Sequence, residues 1–209
     1  MTPPSVVVFD VGHVLIEWDP RHLYRKLFAG DEARVEWFLR EVCTAEWNRE
    51  QDRGRAWEHA VAEASARHPS LAPEIAAYRA RWHEMVPGEI PESVALLRAL
   101  SARGVPLFAI TNFAADTFAE ITARFDFFAL FQGIVVSGTE RMLKPSPEIY
   151  HLLARRHGLA LRECLFIDDM AANVAGARAM GMHAHQFTSP ASLGAELRGH
   201  GLLAEDARA

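Results

Sequence analysis

Short apolar runs recur along the chain and alternate with segments whose apolar residues are three and four positions apart. The first run, Val6 to Phe9, is apolar at every position and rich in β-branched residues. This composition is typical of a parallel strand buried on both faces. Similar runs predict strands at 106–110, 133–136, 164–167 and 183–187. Strands that alternate with helices predict an α/β fold with a parallel sheet.

The segments between the later strands have the periodicity of amphipathic helices. They predict helices over 92–102, 115–124, 147–157, 172–180 and 192–199. Glycine often ends a helix because it adopts positive φ without steric cost. Three of these helices are followed by such a residue, namely Gly104, Gly158 and Gly181.

The strand pattern stops between residues 18 and 86, where helical periodicity continues alone. We interpret the large aromatic residues of this segment mainly as its packing core. The chain is thus predicted to have a core domain of residues 1–17 and 87–209 and a helical insertion of residues 18–86, the cap segment. Its position directly after the first strand places it at the sheet edge where ligands of open α/β folds bind. The tryptophans considered are Trp37, Trp47, Trp57 and Trp82.

Composition excludes several classes of protein. The 209 residues include 22 Lys and Arg against 27 Asp and Glu, a net charge of −5, so a broad attraction to nucleic acid or anionic lipid is not expected. No run approaches the roughly 18 apolar residues of a membrane span, and the first residues lack signal-peptide features. We expect a cytoplasmic protein, monomeric or homodimeric, that acts on a small molecule without nucleic-acid or membrane partners.

Polar residues stand directly after several of the buried strands. Such positions are costly for carboxylates and hydroxyls unless these groups bind or react with something. Because the carboxyl ends of parallel strands meet at one edge of a sheet, these side chains are expected to form a single site. They are Asp10 after the first strand, Thr111 and Asn112 after the second, Lys144 beyond the third, and Asp168 and Asp169 after the fourth.

The order of these residues resembles the four motifs of the haloacid dehalogenase-like (HAD) hydrolase superfamily, in the subgroup that contains 2-haloacid dehalogenases and sugar-1-phosphate phosphatases. The resemblance implies a parallel Rossmann-like core sheet with a helical cap inserted after the first strand. It also implies that Asp10 is a nucleophile whose covalent intermediate is hydrolysed by water, and that Thr111 and Lys144 neutralise negative charge. In the fourth motif, Asn173 would support the acidic pair and Gly176 would allow close helix packing.

A magnesium ion is implied by the same resemblance. Adjacent carboxylates close to Asp10 would repel one another strongly without a cation. Mg²⁺ prefers oxygen ligands and keeps several waters. Its ligands would be Asp10, the main-chain carbonyl of Gly12, and Asp168, with Asp169 bound directly or through water.

The first motif departs from the phosphatases of this superfamily at position 12. These enzymes usually carry a second aspartate two residues after the nucleophile, which protonates the leaving group and later activates water. Gly12 cannot do this. His13 and Glu17 are the first candidates to replace it, and His183 and His185 are further alternatives.

Two enzyme functions follow from this pattern. We favour a Mg²⁺-dependent phosphatase that acts on a small phosphorylated metabolite such as a sugar phosphate, because the pair of Asp168 and Asp169 indicates a metal. The alternative is a metal-independent 2-haloacid dehalogenase, in which Asp10 attacks carbon and a water activated by His or Glu hydrolyses the ester. Loss of the second aspartate also leaves open a catalytically weak binding or regulatory protein.

The dehalogenase alternative requires further substrate-binding groups. Asn112 matches the asparagine that follows the second-motif hydroxyl in dehalogenases, and it is our candidate for substrate binding. An arginine near the halide and donors for the substrate carboxylate would also be needed. The cap segment offers four candidates, which the sequence does not separate: Arg21, Arg25, Arg40 and Arg49.

Overall fold

The computed structural model describes residues 3–204 and has a five-stranded parallel sheet at its centre. The order of the strands across the sheet is β3-β2-β1-β4-β5. β1 is the central strand; β2 and β3 follow on one side of it, and β4 and β5 follow on the other. The direction in which strands are added therefore reverses beside β1. The strands are Val6–Phe9 (β1), Leu107–Thr111 (β2), Gly133–Val136 (β3), Cys164–Asp168 (β4) and His183–Gln186 (β5).

Helices cover both faces of this sheet and make up the cap segment. Short 3-10 helices lie at Pro69–Leu71, Trp82–Met85, Asp126–Leu130 and Leu161–Glu163. The α-helices are Arg21–Leu27 (α1), Glu32–Glu41 (α2), Ala45–Asp52 (α3), Trp57–Arg67 (α4), Ala72–Ala80 (α5), Pro91–Ala102 (α6), Ala115–Arg124 (α7), Ser137–Glu140 (α8), Pro147–His157 (α9), Ala171–Ala179 (α10) and Pro190–Gly199 (α11).

The central strand explains why its sequence is apolar at every position. Val7 and Phe9 face one side of the sheet and join a core shared with α6, α11 and the cap segment. Val6 and Val8 face the other side and pack with side chains of α9 and α10. Alternating side chains of a strand covered on both faces are therefore all buried.

The predicted α/β fold with its parallel sheet is confirmed. The second strand begins and ends one residue later than predicted, and the fourth extends to Asp168. Gly158 ends α9 in the left-handed conformation, with φ of 67°, as its position predicts. Residues 1, 2 and 205–209 of the predicted core domain lie outside the described part of the chain.

The cap segment leaves the core and returns to it through paired backbone segments. Ile16 forms an antiparallel bridge with Glu89, and the Glu17 amide donates to the Gly88 carbonyl at 3.0 Å. Five α-helices lie between these two crossings. Since β1 ends just before the first crossing, the cap segment stands over the carboxyl edge of the sheet.

An aromatic cluster fills the interior of the cap segment. The ring centroids of Tyr24 and Phe38 are 4.5 Å apart, and those of Trp47 and Tyr78 are 5.0 Å apart. These contacts agree with the interpretation of the aromatic residues as packing core. Trp37 is an exception because 40% of its surface is exposed.

No helix within residues 3–204 combines the length and the apolar character that crossing a membrane requires.

Candidate active site

The end of β1 is the centre of the polar site. β1 pairs with β2 through Phe9 and Ala109, and with β4 through Phe9 and Ile167. This register brings Asp10 beside the ends of both neighbouring strands, and its amide donates to the Ile167 carbonyl at 2.8 Å. Three strands that are distant in sequence therefore supply adjacent side chains.

Lys144 lies between two of the carboxylates at these strand ends. Its Nζ is 2.8 Å from Oδ2 of Asp10 and 2.6 Å from Oδ2 of Asp168. The lysine is 1% exposed, and Asp168 is fully buried. A buried ammonium group bridging two buried carboxylates is held in one position, which is how a catalytic group keeps its geometry.

Burial and charge shift the pKa values of these groups. Burial raises the pKa of Asp10; Lys144 opposes this rise, while the Asp168 charge adds to it. Burial alone would lower the pKa of Lys144, but its two carboxylate partners raise it above its ordinary value. The pKa of Asp169 is also raised, first by burial and then by Asp168. Three carboxylates and one lysine meet here, so when all are ionised the site holds more negative charge than the lysine neutralises.

Asp168 is fixed by several donors besides Lys144. The Met170 amide donates to Oδ1 of Asp168 at 2.9 Å, and the Asn173 side-chain amide contacts both carboxylate oxygens at 3.0 and 3.1 Å. Asn173 is buried at the start of α10. It therefore supports the acidic pair in the manner implied by the family resemblance.

The carboxylates of Asp10, Asp168 and Asp169 form a possible metal site. One oxygen from each lies within 4.8 Å of the other two. Oxygen donors of this kind suit a hard divalent ion, and such an ion would offset the surplus negative charge. Gly12, whose carbonyl is the fourth predicted ligand, lines the same cavity. The residues present thus fit Mg²⁺.

A cavity of about 300 Å³ opens between these strand ends and the cap segment. Its floor carries the polar groups, and much of its wall is aromatic. Lysine and arginine are absent from the residues that line it within the described part of the chain. The lining includes Asp10, Gly12, His13, Thr111, Asn112 and Asp169 on the core side, Trp18, Asn48, Asp52, Trp57 and Trp82 on the cap side, and Phe113 and Met170.

The residues predicted to replace the general acid absent at position 12 lie in different parts of the structure. His13 lines the cavity in the left-handed conformation, with φ of 58°. Glu17 is exposed and is not among the lining residues, so the structure gives it no contact with a substrate there. His185 lies instead beside Ser192 and Glu196 of α11.

The side chain of Asn112, the candidate for substrate binding, contacts the backbone of Lys144. Its side-chain Nδ2 donates to the Lys144 carbonyl at 3.1 Å, and its Oδ1 accepts from the Lys144 amide at 2.9 Å. The amide thus fixes the backbone of the loop that carries Lys144. Although Asn112 also borders the cavity, its side chain serves chiefly to position the lysine.

The Lys144 loop is also held by close contact with α10. A Cβ added at Gly176 would stand 2.8 Å from Cβ and 2.9 Å from the carbonyl oxygen of Pro145. Only glycine allows this approach, which is the packing role that the fourth motif implies.

The cap arginines proposed for a dehalogenase lie outside the cavity lining. Each is paired with acidic groups at the surface, at distances between 2.5 and 3.9 Å. The pairs are Arg21 with Asp19 and Glu36, Arg25 with Glu32, Arg40 with Glu41, and Arg49 with Glu46.

Asp52 is a cavity residue that sequence reasoning missed. It ends α3, and its side chain accepts a hydrogen bond from Nδ2 of Asn48 at 3.2 Å. Burial raises its pKa to about 7. A carboxylate at a helix end is usually solvated, and the sequence contained no signal that this one faces the site.

Comparisons with known proteins agree with this geometry. A family model for haloacid dehalogenase-like hydrolases matches residues 4–181. A sesquiterpene phosphatase from Aspergillus oryzae is 34% identical over 103 residues, which cover 49% of this chain and 53% of the relative. Phosphoglycolate phosphatase from Escherichia coli is 30% identical over 91 residues, covering 44% of this chain and 36% of that enzyme. The matches thus span about half of the first relative's length and about a third of the second's.

Solved structures share the fold at low sequence identity. A HAD family enzyme from Bacteroides thetaiotaomicron, in complex with magnesium and inorganic phosphate, has a TM-score of 0.68 and 20% identity, covering 88% of this chain and 94% of that one. L-2-haloacid dehalogenase from Xanthobacter autotrophicus has a TM-score of 0.64 and 17% identity, covering 99% of this chain and 92% of that one.

Proposed function

The chain belongs to the haloacid dehalogenase-like hydrolases, and within that family we propose that it is a Mg²⁺-dependent phosphatase acting on a small phosphorylated metabolite such as a sugar phosphate. The observation that carries this proposal is the group of three carboxylates within 4.8 Å of one another around a single buried lysine. That arrangement calls for a divalent cation, and a cation beside a nucleophilic carboxylate suits phosphoryl transfer.

Asp10 performs the displacement at phosphorus. Its Oδ1 accepts a hydrogen bond from the Val11 amide at 2.7 Å, and its Oδ2 contacts Lys144, so the carboxylate is fixed before substrate arrives. A fixed orientation of the carboxylate lowers the entropy that is lost when the nucleophile and phosphorus are brought together. The product of the first step is an aspartyl phosphate, which water then hydrolyses.

Lys144 and Thr111 stabilise negative charge during the transfer. The ammonium group sits beside Asp10, and the Thr111 hydroxyl borders the same cavity. When bound by Asp10, the Gly12 carbonyl, Asp168 and Asp169, Mg²⁺ would neutralise charge on the phosphoryl oxygens. Asp168 keeps the lysine in place through their 2.6 Å contact.

The cavity walls favour a leaving group without a second negative charge. The lining within the described residues has aromatic side chains and three carboxylates, and it has no lysine or arginine. A sugar or a compact hydrocarbon can stack on such walls, whereas the carboxylate of a 2-haloacid or of phosphoglycolate would find no cationic side chain. The phosphatase is therefore favoured over the dehalogenase alternative.

The test is turnover of p-nitrophenyl phosphate with Mg²⁺ and with EDTA, alongside halide release from L-2-halopropionate. We expect phosphate release that needs Mg²⁺ and that Asp10→Asn abolishes, with halide release at the level of the Asp10→Asn blank. Halide release that EDTA does not affect would instead establish the dehalogenase. Absence of both activities would favour a binding protein.

A substrate panel tests the inferred charge preference. Sugar phosphates and a prenyl phosphate should be better substrates than phosphoglycolate in kcat/KM. A preference for phosphoglycolate would contradict the argument from the cavity walls.

A further inference from the structure

We propose that Asp52 of the cap segment is the catalytic acid and base of this enzyme: it protonates the leaving oxygen and then takes a proton from the hydrolytic water. This inference rests on the phosphatase activity proposed above.

In-line displacement fixes the side from which the proton must come. The attacking and leaving oxygens stand on opposite sides of phosphorus. Asp10 lies at the carboxyl edge of the sheet, on the floor of the cavity. The leaving oxygen therefore points away from the sheet, toward the cap segment.

Asp52 is the carboxylic acid that the cap segment presents to this cavity. The other cap residues in the described lining are Trp18, Asn48, Trp57 and Trp82, none of which ionises near neutral pH. The remaining carboxylates in the lining, Asp10 and Asp169, belong to the core side and to the metal-binding group.

The backbone around Asp52 is fixed to the core. The Ser137 hydroxyl donates to the Asp52 carbonyl at 2.6 Å and accepts from the Phe113 amide at 2.9 Å. The Ala114 amide acts on the Asp52 carboxyl group and lowers its pKa. Phe113 and Ala114 follow Thr111 at the end of β2, so Asp52 is anchored to the same strand end that supplies the Thr111 hydroxyl.

The surroundings of Asp52 keep it protonated at moderate pH. Burial raises its pKa to about 7, although the Ala114 amide and Arg49 oppose the rise. Asn48 joins it to the Tyr78 hydroxyl, and His13, Asp10 and Asp169 border the cavity from the core side. A general acid works best when its pKa is close to the working pH.

The proton inventory of the two steps is balanced. As an oxygen of Asp10 bonds to phosphorus, the bond to the leaving oxygen breaks, and that oxygen takes its proton from Asp52. Water then attacks phosphorus and gives a proton to the Asp52 carboxylate. The electron pair of the aspartyl bond returns to Asp10, which leaves an alcohol, inorganic phosphate and the starting enzyme.

Gly12 offers a second, independent test of the role of Asp52 as acid and base. A Cβ added at Gly12 would meet no atom within 4 Å, and the residue does not have positive φ. A side chain can therefore begin there without a clash at Cβ. The absence of a side chain at Gly12 leaves the protonation of the leaving group to another residue.

The experiment is to measure kcat/KM for phenyl, 4-chlorophenyl and 4-nitrophenyl phosphate with Mg²⁺. Asp52→Asn should lose about 10²- to 10³-fold with phenyl phosphate, whose leaving group needs the proton most, and less than about tenfold with the nitro compound. Glu58→Gln removes a charge from an exposed position of α4 and is the matched control, which should leave all three values unchanged. Adding Gly12→Asp to Asp52→Asn should restore much of the phenyl phosphate activity.

A second measurement needs no variant. The wild-type ratio of kcat/KM for phenyl phosphate to that for 4-nitrophenyl phosphate should fall as pH rises through about 7. The phosphate groups of both substrates lose their second proton mainly below about pH 7, so their titration contributes little to a fall of the ratio above that pH.

Two results would overturn the assignment. An equal loss with all three substrates in Asp52→Asn would show a structural or binding role, and no loss would show that another group supplies the proton. Failure of the proposed phosphatase function would give different results. Either the wild type would release no phosphate, or Asp10→Asn would still release it. In both cases the role assigned to Asp52 would also be wrong.

Discussion

Two titratable side chains, Lys144 and Asp52, have opposite relations to their surroundings. Lys144 has two carboxylate partners within 2.8 Å, and these more than offset the effect of burial on its pKa. Its stabilising contribution is therefore complete at neutral pH and is lost only as pH rises past its raised pKa. Asp52 has hydrogen-bond donors but no adjacent ion-pair partner, so burial dominates and its neutral form is favoured. Lys144 therefore stays charged and can stabilise negative charge, whereas Asp52 favours its protonated form and can donate a proton.

The Asp52→Asn substitution should stabilise the protein, and more so at high pH. Because burial raises the folded pKa to about 7, the ionised carboxylate costs free energy that the amide avoids. The unfolded pKa is about 3.9, so this cost grows as pH rises from about 4 to 7 and is constant above. We expect the gain in unfolding free energy to be larger at pH 8 than at pH 5 by on the order of 2 kcal/mol.

Urea unfolding of wild type and variant at the two pH values measures this difference. Glu58→Gln serves again as the control and should show no such difference. A gain that does not change between pH 5 and pH 8 would mean that Asp52 is ionised in the folded protein throughout this range.

At the scale of elements, the site depends on three strand ends and one loop that are brought together by close packing. β2, β1 and β4 are neighbours in the sheet, which places Thr111, Asp10 and Asp168 side by side. The loop that carries Lys144 is held against α10 by the contact of Pro145 with Gly176. The lysine therefore has its position only as long as this helix and loop stay in contact.

Gly176→Ala should damage both stability and activity. Its Cβ would overlap Pro145, and overpacking of this kind costs about 1–3 kcal/mol. Displacement of the adjacent Lys144 should lower kcat/KM on the order of tenfold or more. Thermal unfolding and p-nitrophenyl phosphate turnover measure the two effects.

Gly199→Ala is the matched control for this prediction. Gly199 is the last residue of α11, and a Cβ there would meet no atom within 4 Å. It should retain wild-type activity and stability. Wild-type behaviour of Gly176→Ala would show that the loop adjusts without moving the lysine.

For the whole molecule, a metal bound at the proposed site would couple that site to the stability of the fold. The three carboxylates come from strand ends that are close only in the folded chain. A cation that binds this group therefore binds the native state and not the unfolded one. Ligand binding of this kind raises the unfolding free energy in proportion to the logarithm of concentration.

Mg²⁺ should thus raise the melting temperature of the protein without substrate. At a concentration 100 times Kd, the expected gain is about 2.7 kcal/mol. Asp10→Asn and Asp169→Asn should reduce the gain, and EDTA should remove it. Because the pKa values of Asp10 and Asp169 are raised, protons compete with the metal, so the effect should weaken as pH falls. Equal stabilisation by NaCl of matched ionic strength would point to general screening instead.

The pattern of residues along the chain was sufficient to predict a parallel sheet and to group most of the polar residues at one edge of it. Runs such as Val6 to Phe9 are apolar throughout because both faces of the strand are covered, and this is visible without coordinates. Asp10, Thr111 and Asp168 could be placed together because parallel strands end at one edge. Local physical rules, which depend only on neighbouring residues, were sufficient for these inferences.

The side chains that border the cavity from the cap segment could be identified only from the packing of the folded chain. Asp52 and Glu17 are both carboxylates near helix or hinge ends, yet the first faces the cavity and the second faces solvent. Asn112 borders the cavity as predicted for a substrate contact, and the structure adds that its side-chain amide holds the Lys144 backbone. Such distinctions depend on how the cap helices and the loops pack across long sequence separations, and no local pattern encodes them.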